Sequence, residues 1–182
     1  MDLSDFPTFR LLPEHRLFRI HRAGYGPWWF SSSGDGRFDL RPPLGTCYLA
    51  EEPVGAFIEV FQGFDEAVPH ADVRARRIST LSVPRVFRLA DCANSLARRS
   101  GITGEIHSMT TRRQTQQWAR AFADAGFDGI RFLVRHDPAQ QRVGFALFGP
   151  AGEASWDAIS TDEIGTAVII DVERRFGIRV QS

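Results

Sequence analysis

The chain carries short apolar runs, some alternating with polar residues and some continuous, that are rich in aromatic and β-branched side chains and bounded by Gly or Pro. Runs of this length and composition are typical of β-strands. The pattern predicts strands at 17–22, 46–51, 76–83, 86–91, 129–135 and 144–149, with a weaker one at 178–180. No repeat or low-complexity tract interrupts them, so residues 1–182 are interpreted as a single domain.

Three segments show helical spacing of their apolar residues instead. Pro53 suits a first helical turn and the apolar positions after it recur at helical intervals, which predicts a helix over 53–64. A third helix is predicted over 166–177, where Gly177 ends it. Strands grouped around few helices favour an α+β domain with a mixed β-sheet core and flanking helices.

The second predicted helix covers 112–126, the segment RRQTQQWARAFADAG. Thr110 or Thr111 is the expected cap at its start, and Gly126 is expected to end it. Its buried stripe is predicted to consist of Trp118, Ala121, Phe122 and Ala125.

Composition limits the classes of function. The 182 residues carry 22 basic and 22 acidic side chains, so a broad basic surface for nucleic acid is not indicated. Glycine fingerprints for dinucleotides and the Walker lysine are missing, and the dispersed histidines predict no metal site. Cys47 and Cys92 lie in apolar contexts typical of reduced buried thiols. No stretch suits a signal peptide or a membrane span, so we expect a cytoplasmic protein.

Glu59 is unusual because it lies in an apolar segment, between Ile58 and Val60. On a helix it shares its face with the positions three and four residues away, which are Gly55, Ala56, Gln62 and Gly63. Three of these are minimal side chains, which would leave room for a ligand to approach the carboxylate. A solvated helix glutamate beside incidental small residues is the alternative.

Three further polar residues precede Glu59. Alternation along 17–22 places Arg19 opposite Phe18 and Ile20, so that it points to a cavity or to solvent, where it binds a ligand or forms a structural salt bridge. Arg37 lies in a Gly-rich turn, where it is either solvated or close to a ligand that the turn backbone can approach. Tyr48 lies among apolar strand residues, either as core or as a ring that lines a pocket.

Taken in order, these segments resemble the RES domain family. The likeness rests on LFRIHRAGYGPWWF (17–30), GRFDL (36–40), GTCYLAEEPVGAFIEVF (45–61), TRRQTQQWARAFADAGFDGIRFLVRHDP (111–138) and GFALFG (144–149). It covers about residues 17–149. The resemblance implies a fold similar to ADP-ribosyltransferases and an activity that degrades NAD+.

The resemblance also implies roles for individual residues. Arg19 matches the family's first essential arginine, Arg37 the arginine of its Gly-Arg-aromatic motif, Tyr48 the pocket tyrosine and Glu59 the essential glutamate. Many relatives carry a serine immediately before RHDP, where this chain has Val134. Other members place the serine near the start of the second helix, where this chain offers Ser108, Thr110 and Thr111.

The implied chemistry gives these residues distinct tasks. Cleavage of the nicotinamide–ribose bond develops positive charge on the ribose, which a carboxylate such as Glu59 stabilises, with Arg19 as the second expected catalytic residue. Pyrophosphate suits guanidinium groups, and Tyr48, Trp28 or Trp29 could stack on a base. Thr111 and Arg135 are the other expected substrate-binding residues. NAD+ is then a substrate, with phosphate as a possible co-substrate, and no cofactor is expected.

The sequence is compatible with three hypotheses. The first is an NAD+ phosphorylase or glycohydrolase that acts as the toxin of a toxin–antitoxin pair, since toxin members of the family are held inactive by an Xre-like helix-turn-helix antitoxin. The second is an ADP-ribosyltransferase that modifies a macromolecule. The third is a catalytically silent NAD-binding domain, for which Val134 is the motivation because valine cannot donate a hydrogen bond.

Overall fold

The strands of this protein are short, and most of them belong to one mixed sheet. The computed structural model describes residues 2–61, 63 and 67–181. Its strands are β1 (Thr8–Leu11), β2 (Leu17–Arg22), β3 (Trp29–Phe30), β4 (Leu44–Ala50), β5 (Ala67–Pro69), β6 (Arg76–Leu81), β7 (Phe87–Asp91), β8 (Gly129–Leu133), β9 (Val143–Pro150), β10 (Gly152–Glu153), β11 (Ala158–Asp162) and β12 (Arg179–Gln181). Every predicted strand is confirmed within a few residues; β1, β3, β5, β10 and β11 were not predicted.

The helices confirm the three predicted segments and add shorter ones. They are α1 (Pro53–Val60), α2 (His70–Arg74), α3 (Glu105–Ser108), α4 (Arg112–Asp124) and α5 (Thr166–Phe176), with a 3₁₀ helix at Ser95–Ser100. Helix α1 stops at Val60, earlier than predicted; positions 62 and 64 of that prediction lie outside the described residues. Among the described helices, none has the length and apolar character needed to cross a bilayer.

Eight of the described strands form the main sheet, in the order β1-β7-β8-β9-β4-β2-β6-β11. Strands β7 and β8 run parallel and their neighbours antiparallel, which confirms the mixed sheet of an α+β fold. Strand β4 pairs with β9 along its whole length, and β2 pairs with β6 in the same way. Between β2 and β4, however, the described register is the single pair Phe18↔Ala50. We call this pair the seam, because two well-bonded half-sheets meet there.

Apolar side chains cover both faces of the sheet. Helix α4 packs on one face through Thr115, Ala119 and Phe122, which are buried. The predicted stripe of this helix is therefore confirmed at Phe122, while Trp118 and Ala121 are partly buried. It is wrong at Ala125, which is exposed because the helix ends at Asp124.

Two other clusters complete the core. One surrounds the buried Trp28 and Phe30 on the second face, and the other joins α1 and α5 to strand residues at the seam, including Ile20 and Ala50. Cys47 and Cys92 are free and buried, as expected, and burial raises the pKa of both thiols.

Close backbone packing makes Gly129 on β8 a test of this architecture. A Cβ there would overlap the Ala146 carbonyl oxygen and lie 3.0 Å from Leu147 Cα, both on the neighbouring strand. We expect Gly129→Ala to lower the free energy of unfolding by about 1–3 kcal/mol, measured by urea titration. Gly104→Ala is the matched control, because a Cβ there meets nothing within 4 Å and the backbone is helical. Equal stabilities of the two variants would contradict the described packing.

Candidate active site

A cavity of about 680 Å³ opens beside the seam. Its polar lining includes the residues Arg19, Arg37, Tyr48, Glu59, Thr110 and Arg135, and its apolar walls include Phe18, Ile20 and Phe132. A cavity of this size holds a drug-sized or nucleotide-sized ligand. Four side chains singled out from the sequence, Arg19, Arg37, Tyr48 and Glu59, thus share one enclosure although they come from different elements.

Glu59 lies in the last turn of α1, and its side chain is 24% exposed. Its Oε1 accepts a hydrogen bond from Arg37 Nη2 at 3.3 Å and another from the backbone N–H of Arg135 at 3.3 Å. Its Oε2 has no hydrogen-bond partner within the described part of the chain. One oxygen is therefore fixed by the protein and the other is left to a ligand.

The small residues around Glu59 serve two different purposes. Ala56 lines the cavity, which agrees with the expected open space. Gly55 is buried, and a Cβ there would lie 3.3 Å from Ala50 Cβ, so this glycine brings α1 close to the sheet instead. A Cβ at Gly63 would meet nothing, and Gln62 lies outside the described residues.

Arg37 is the main partner of Glu59. Its side chain is only 11% exposed, and its Nη1 donates to the carbonyl oxygen of His107 while Nη2 reaches Glu59. The guanidinium also lies over the rings of Phe38 and Phe132, at 5.5 and 5.0 Å. Burial lowers the pKa of Arg37 and the Glu59 carboxylate opposes that change. Arginine stays protonated throughout the accessible pH range, so a buried cation holds the carboxylate.

The turn that carries Arg37 is built around the buried carboxylate of Asp39. Asp39 Oδ2 accepts from the backbone N–H of Gly34 at 3.1 Å and of Gly36 at 3.0 Å. A Cβ at Gly36 would overlap Asp39 Oδ1 and the hydroxyl of Tyr48. The glycine in the Gly-Arg-aromatic motif is therefore required by close packing around Asp39.

Tyr48 binds the same turn from β4. Its hydroxyl donates to Asp39 Oδ1 at 2.8 Å and accepts from the backbone N–H of Phe38 at 2.8 Å. Burial, with the Asp39 carboxylate second, raises the pKa of Tyr48 well above its usual value, so the phenol stays protonated. Its ring lines the cavity while its hydroxyl supports the wall.

Arg19 lines the cavity at the seam, and its guanidinium is anchored by protein groups. Nη1 donates to the carbonyl oxygens of Pro27 at 2.6 Å and Trp29 at 3.0 Å, and contacts Cys47 Sγ at 2.8 Å. Of the two tryptophans considered for stacking, Trp28 is buried in the core and does not line the cavity. Trp29 is exposed and meets Tyr25 edge to face at 5.8 Å.

Arg135 follows β8 in a loop built like the Arg37 turn. Asp137 is buried, and its carboxylate accepts from the backbone N–H groups of Ala139, Gln141 and Arg142 at 2.8–3.1 Å. This arrangement explains the RHDP segment, since Asp137 fixes the loop that presents the Arg135 amide to Glu59. Val134, at the serine position of many relatives, is buried and does not line the cavity.

The start of α4 completes the lining. Thr110 and Arg112 line the cavity, whereas Thr111 is the residue before the helix and is not among the lining residues. Thr111 makes no capping hydrogen bond through its side chain. Among the described residues that line the cavity, the threonine is therefore Thr110, one position before the expected Thr111.

Sequence reasoning did not find His107, Asp39 or Arg112. His107 contributes a backbone carbonyl to Arg37, and every residue type has one, so no sequence signal exists for that contact. Asp39 was visible in GRFDL, and its position next to turn glycines was the available signal. In the described residues no group of three or more His, Cys, Asp or Glu is arranged to hold a metal ion.

The fold and site define an α+β domain with a cavity around an arginine-held glutamate, and comparison with known proteins places it in a family. The model of the RES domain matches residues 16–166, so the chain belongs to the RES domain family. It also resembles, at TM-score 0.67 and 14% identity, a chain of the crystal structure of the M. tuberculosis MbcT–MbcA toxin–antitoxin complex, over 91% of this chain and 92% of that chain. No curated protein matches the chain.

His107 gives this site a pH-dependent contribution to stability. Burial, and then the nearby Arg37 cation, lower the pKa of His107 to about 4, and its Nδ1 accepts from the backbone N–H of Leu133 at 3.2 Å. Between pH 4 and 6.5 the unfolded chain binds a proton that the folded chain does not. Stability from this group is thus complete above pH 6.5 and is lost as the pH falls towards 4, by about 3 kcal/mol.

We expect His107→Asn to flatten the dependence of stability on pH, because the Asn side-chain oxygen accepts the same hydrogen bond without titrating. Urea unfolding of both proteins from pH 7.5 to 4.5 measures the difference between their free energies of unfolding. Protonation of His21, His136 and the carboxylates contributes equally to both proteins and cancels from that difference. Parallel stability curves for the two proteins would show that His107 is not held neutral.

Proposed function

We propose that this protein degrades NAD+ by breaking the bond between nicotinamide and ribose. The observation that carries the proposal is the Glu59 carboxylate, which is fixed through Oε1 by Arg37 and the Arg135 amide while Oε2 is left to a ligand. The cavity around it combines cations, an aromatic ring and apolar walls, as NAD+ requires. Membership of the RES domain family supports the same reading.

In the proposed reaction the ribose C1″–N bond breaks and nicotinamide leaves with the bonding electrons as a neutral molecule. Positive charge develops on the ribose ring, and Glu59 stabilises it from a fixed position without reorganisation. Arg37 is largely buried and orients the carboxylate through the contact of Nη2 with Oε1. Its task is therefore to hold Glu59, in addition to any contact with substrate.

The pyrophosphate of NAD+ and a phosphate acceptor require cations other than Arg37, which is engaged by Glu59. Arg19 lines the cavity at the seam and suits a pyrophosphate oxygen, since only its Nη1 is bonded within the described residues. Arg112 and Arg135, together with Thr110 two residues before Arg112, line the cavity and supply hydrogen-bond donors for the phosphate acceptor. Two guanidiniums and a hydroxyl match orthophosphate better than water, which favours phosphorolysis to ADP-ribose 1″-phosphate.

We further propose that the protein is a cytoplasmic toxin held inactive by an antitoxin. The similar fold in a complex described as toxin–antitoxin supports a protein partner of this kind. The family resemblance extends the proposal to an Xre-like helix-turn-helix protein. Co-purification of the neighbouring gene product with this chain tests the partner separately from the chemistry.

Glu59→Gln is expected to lower NAD+ consumption at least about 100-fold, because an amide keeps the shape of the side chain but not its charge. Release of nicotinamide, with and without phosphate, measures the loss by chromatography. Glu163→Gln is the matched control; that side chain is 86% exposed and pairs with Arg77 on the surface.

The product analysis also separates the alternatives. Free ADP-ribose or its 1″-phosphate supports the proposal, and labelled ADP-ribose on a macromolecule would instead indicate a transferase. Saturable NAD+ binding by calorimetry without turnover would show a silent binding domain. Full activity of Glu59→Gln would refute the role of this carboxylate.

Arg112→Gln tests the proposed site for orthophosphate, the acceptor of the ADP-ribosyl group. We expect the KM for phosphate to rise about 10-fold or more, with a smaller change in the KM for NAD+, because one charge-assisted contact is lost. Arg113→Gln, the adjacent exposed arginine that does not line this cavity, is the control. Equal phosphate dependence in both variants would place the acceptor elsewhere.

A further inference from the structure

Gln116 on α4 makes two hydrogen bonds to the Arg37 turn from a distant part of the sequence. Its Nε2 donates to the carbonyl oxygens of Gly34 and Gly36, each at 2.9 Å. Gln116 does not line the cavity that contains Glu59, so direct contact with a substrate there is not its role. An amide nitrogen with two donors suits this double contact, and no carboxylate can replace it.

The two contacts complete a clamp on the turn. Asp39 Oδ2 holds the N–H groups of Gly34 and Gly36, and Gln116 holds the carbonyl oxygens of the same two residues. Gly34 has φ +82°, a conformation that glycine adopts without strain. Both polar groups of each glycine are therefore fixed immediately before Arg37.

We propose that Gln116 is a positioning residue that fixes the turn so that Arg37 reaches Glu59. The Arg37 Nη2 to Glu59 Oε1 distance of 3.3 Å is already near the limit of a hydrogen bond, so a small shift of the turn breaks it. Displacements of about 1 Å at a distance from the chemistry lower enzyme rates about 100-fold. The effect on rate rests on the proposed function; the effect on the turn does not.

Gln116→Glu is the decisive variant, because it keeps the size of the side chain, removes both donated hydrogen bonds and places a negative charge beside two carbonyl oxygens. Gln117→Glu is the matched control: it makes the same change on the next, exposed residue of α4. Gln116 is half-buried, and both variants are expected to melt within a few degrees of the unmodified protein.

Amide hydrogen exchange measures the clamp without any assumption about activity. We expect the amides of Gly34, Gly36 and Phe38 to exchange about 10-fold faster or more in Gln116→Glu, and at unchanged rates in Gln117→Glu. Unchanged exchange at these amides in Gln116→Glu would overturn the proposal, even if NAD+ is never consumed.

Kinetics then test whether the clamp acts through Glu59. In Gln116→Glu we expect kcat for NAD+ consumption to fall about 10- to 100-fold with the KM for NAD+ nearly unchanged. Combined with Glu59→Gln, the Gln116 substitution is expected to cause little further loss, because its target is already removed. Faster exchange with unchanged kcat, or full additivity of the two losses, would refute the link to Glu59. If the unmodified protein consumes no NAD+, the proposed function fails while the exchange data still decide the role of the clamp.

Discussion

The ion pair between Arg37 and Glu59 is the interaction on which the rest of the site depends. A largely buried guanidinium and a partly buried carboxylate each lose hydration, and the ion pair between them, with the backbone group that each also bonds, offsets that loss. Three separate segments of the chain must therefore meet at one oxygen atom, Glu59 Oε1. They are the turn before Phe38, helix α1 and the loop after β8. Loss of Glu59 leaves the Arg37 cation over the rings of Phe38 and Phe132 without its carboxylate partner.

Both donors to Glu59 are presented in the same way. Each comes from an irregular segment that is folded around a buried aspartate, Asp39 on one side and Asp137 on the other. Backbone N–H groups that have no strand or helix partner are satisfied by these carboxylates, which makes the loops rigid enough to hold a side chain in place. The local chemistry of two turns thus determines the geometry of the cavity.

Much of this could be predicted from the sequence, because the strands and long helices have clear apolar periods and polar residues interrupt them at the site. The unpredicted strands are short or lie at sheet edges, where little apolar burial leaves little pattern. Helix α1 ends early because the backbone of Phe61, at φ −98° and ψ 21°, leaves the helical conformation. The contacts of Gln116 and His107 join positions about 70 to 80 residues apart through backbone carbonyls, and no spacing rule reports such contacts.

The seam has a consequence for the molecule as a whole. Backbone hydrogen bonds are densest within each half of the sheet and sparsest where Phe18 meets Ala50. Local opening of the main sheet is therefore expected first at this pair, beside the cavity. Arg19 belongs to one half and Tyr48 to the other. A molecule that contacts both residues therefore connects the two halves of the sheet. Because it binds only the folded protein, the free energy of unfolding increases with the logarithm of its concentration.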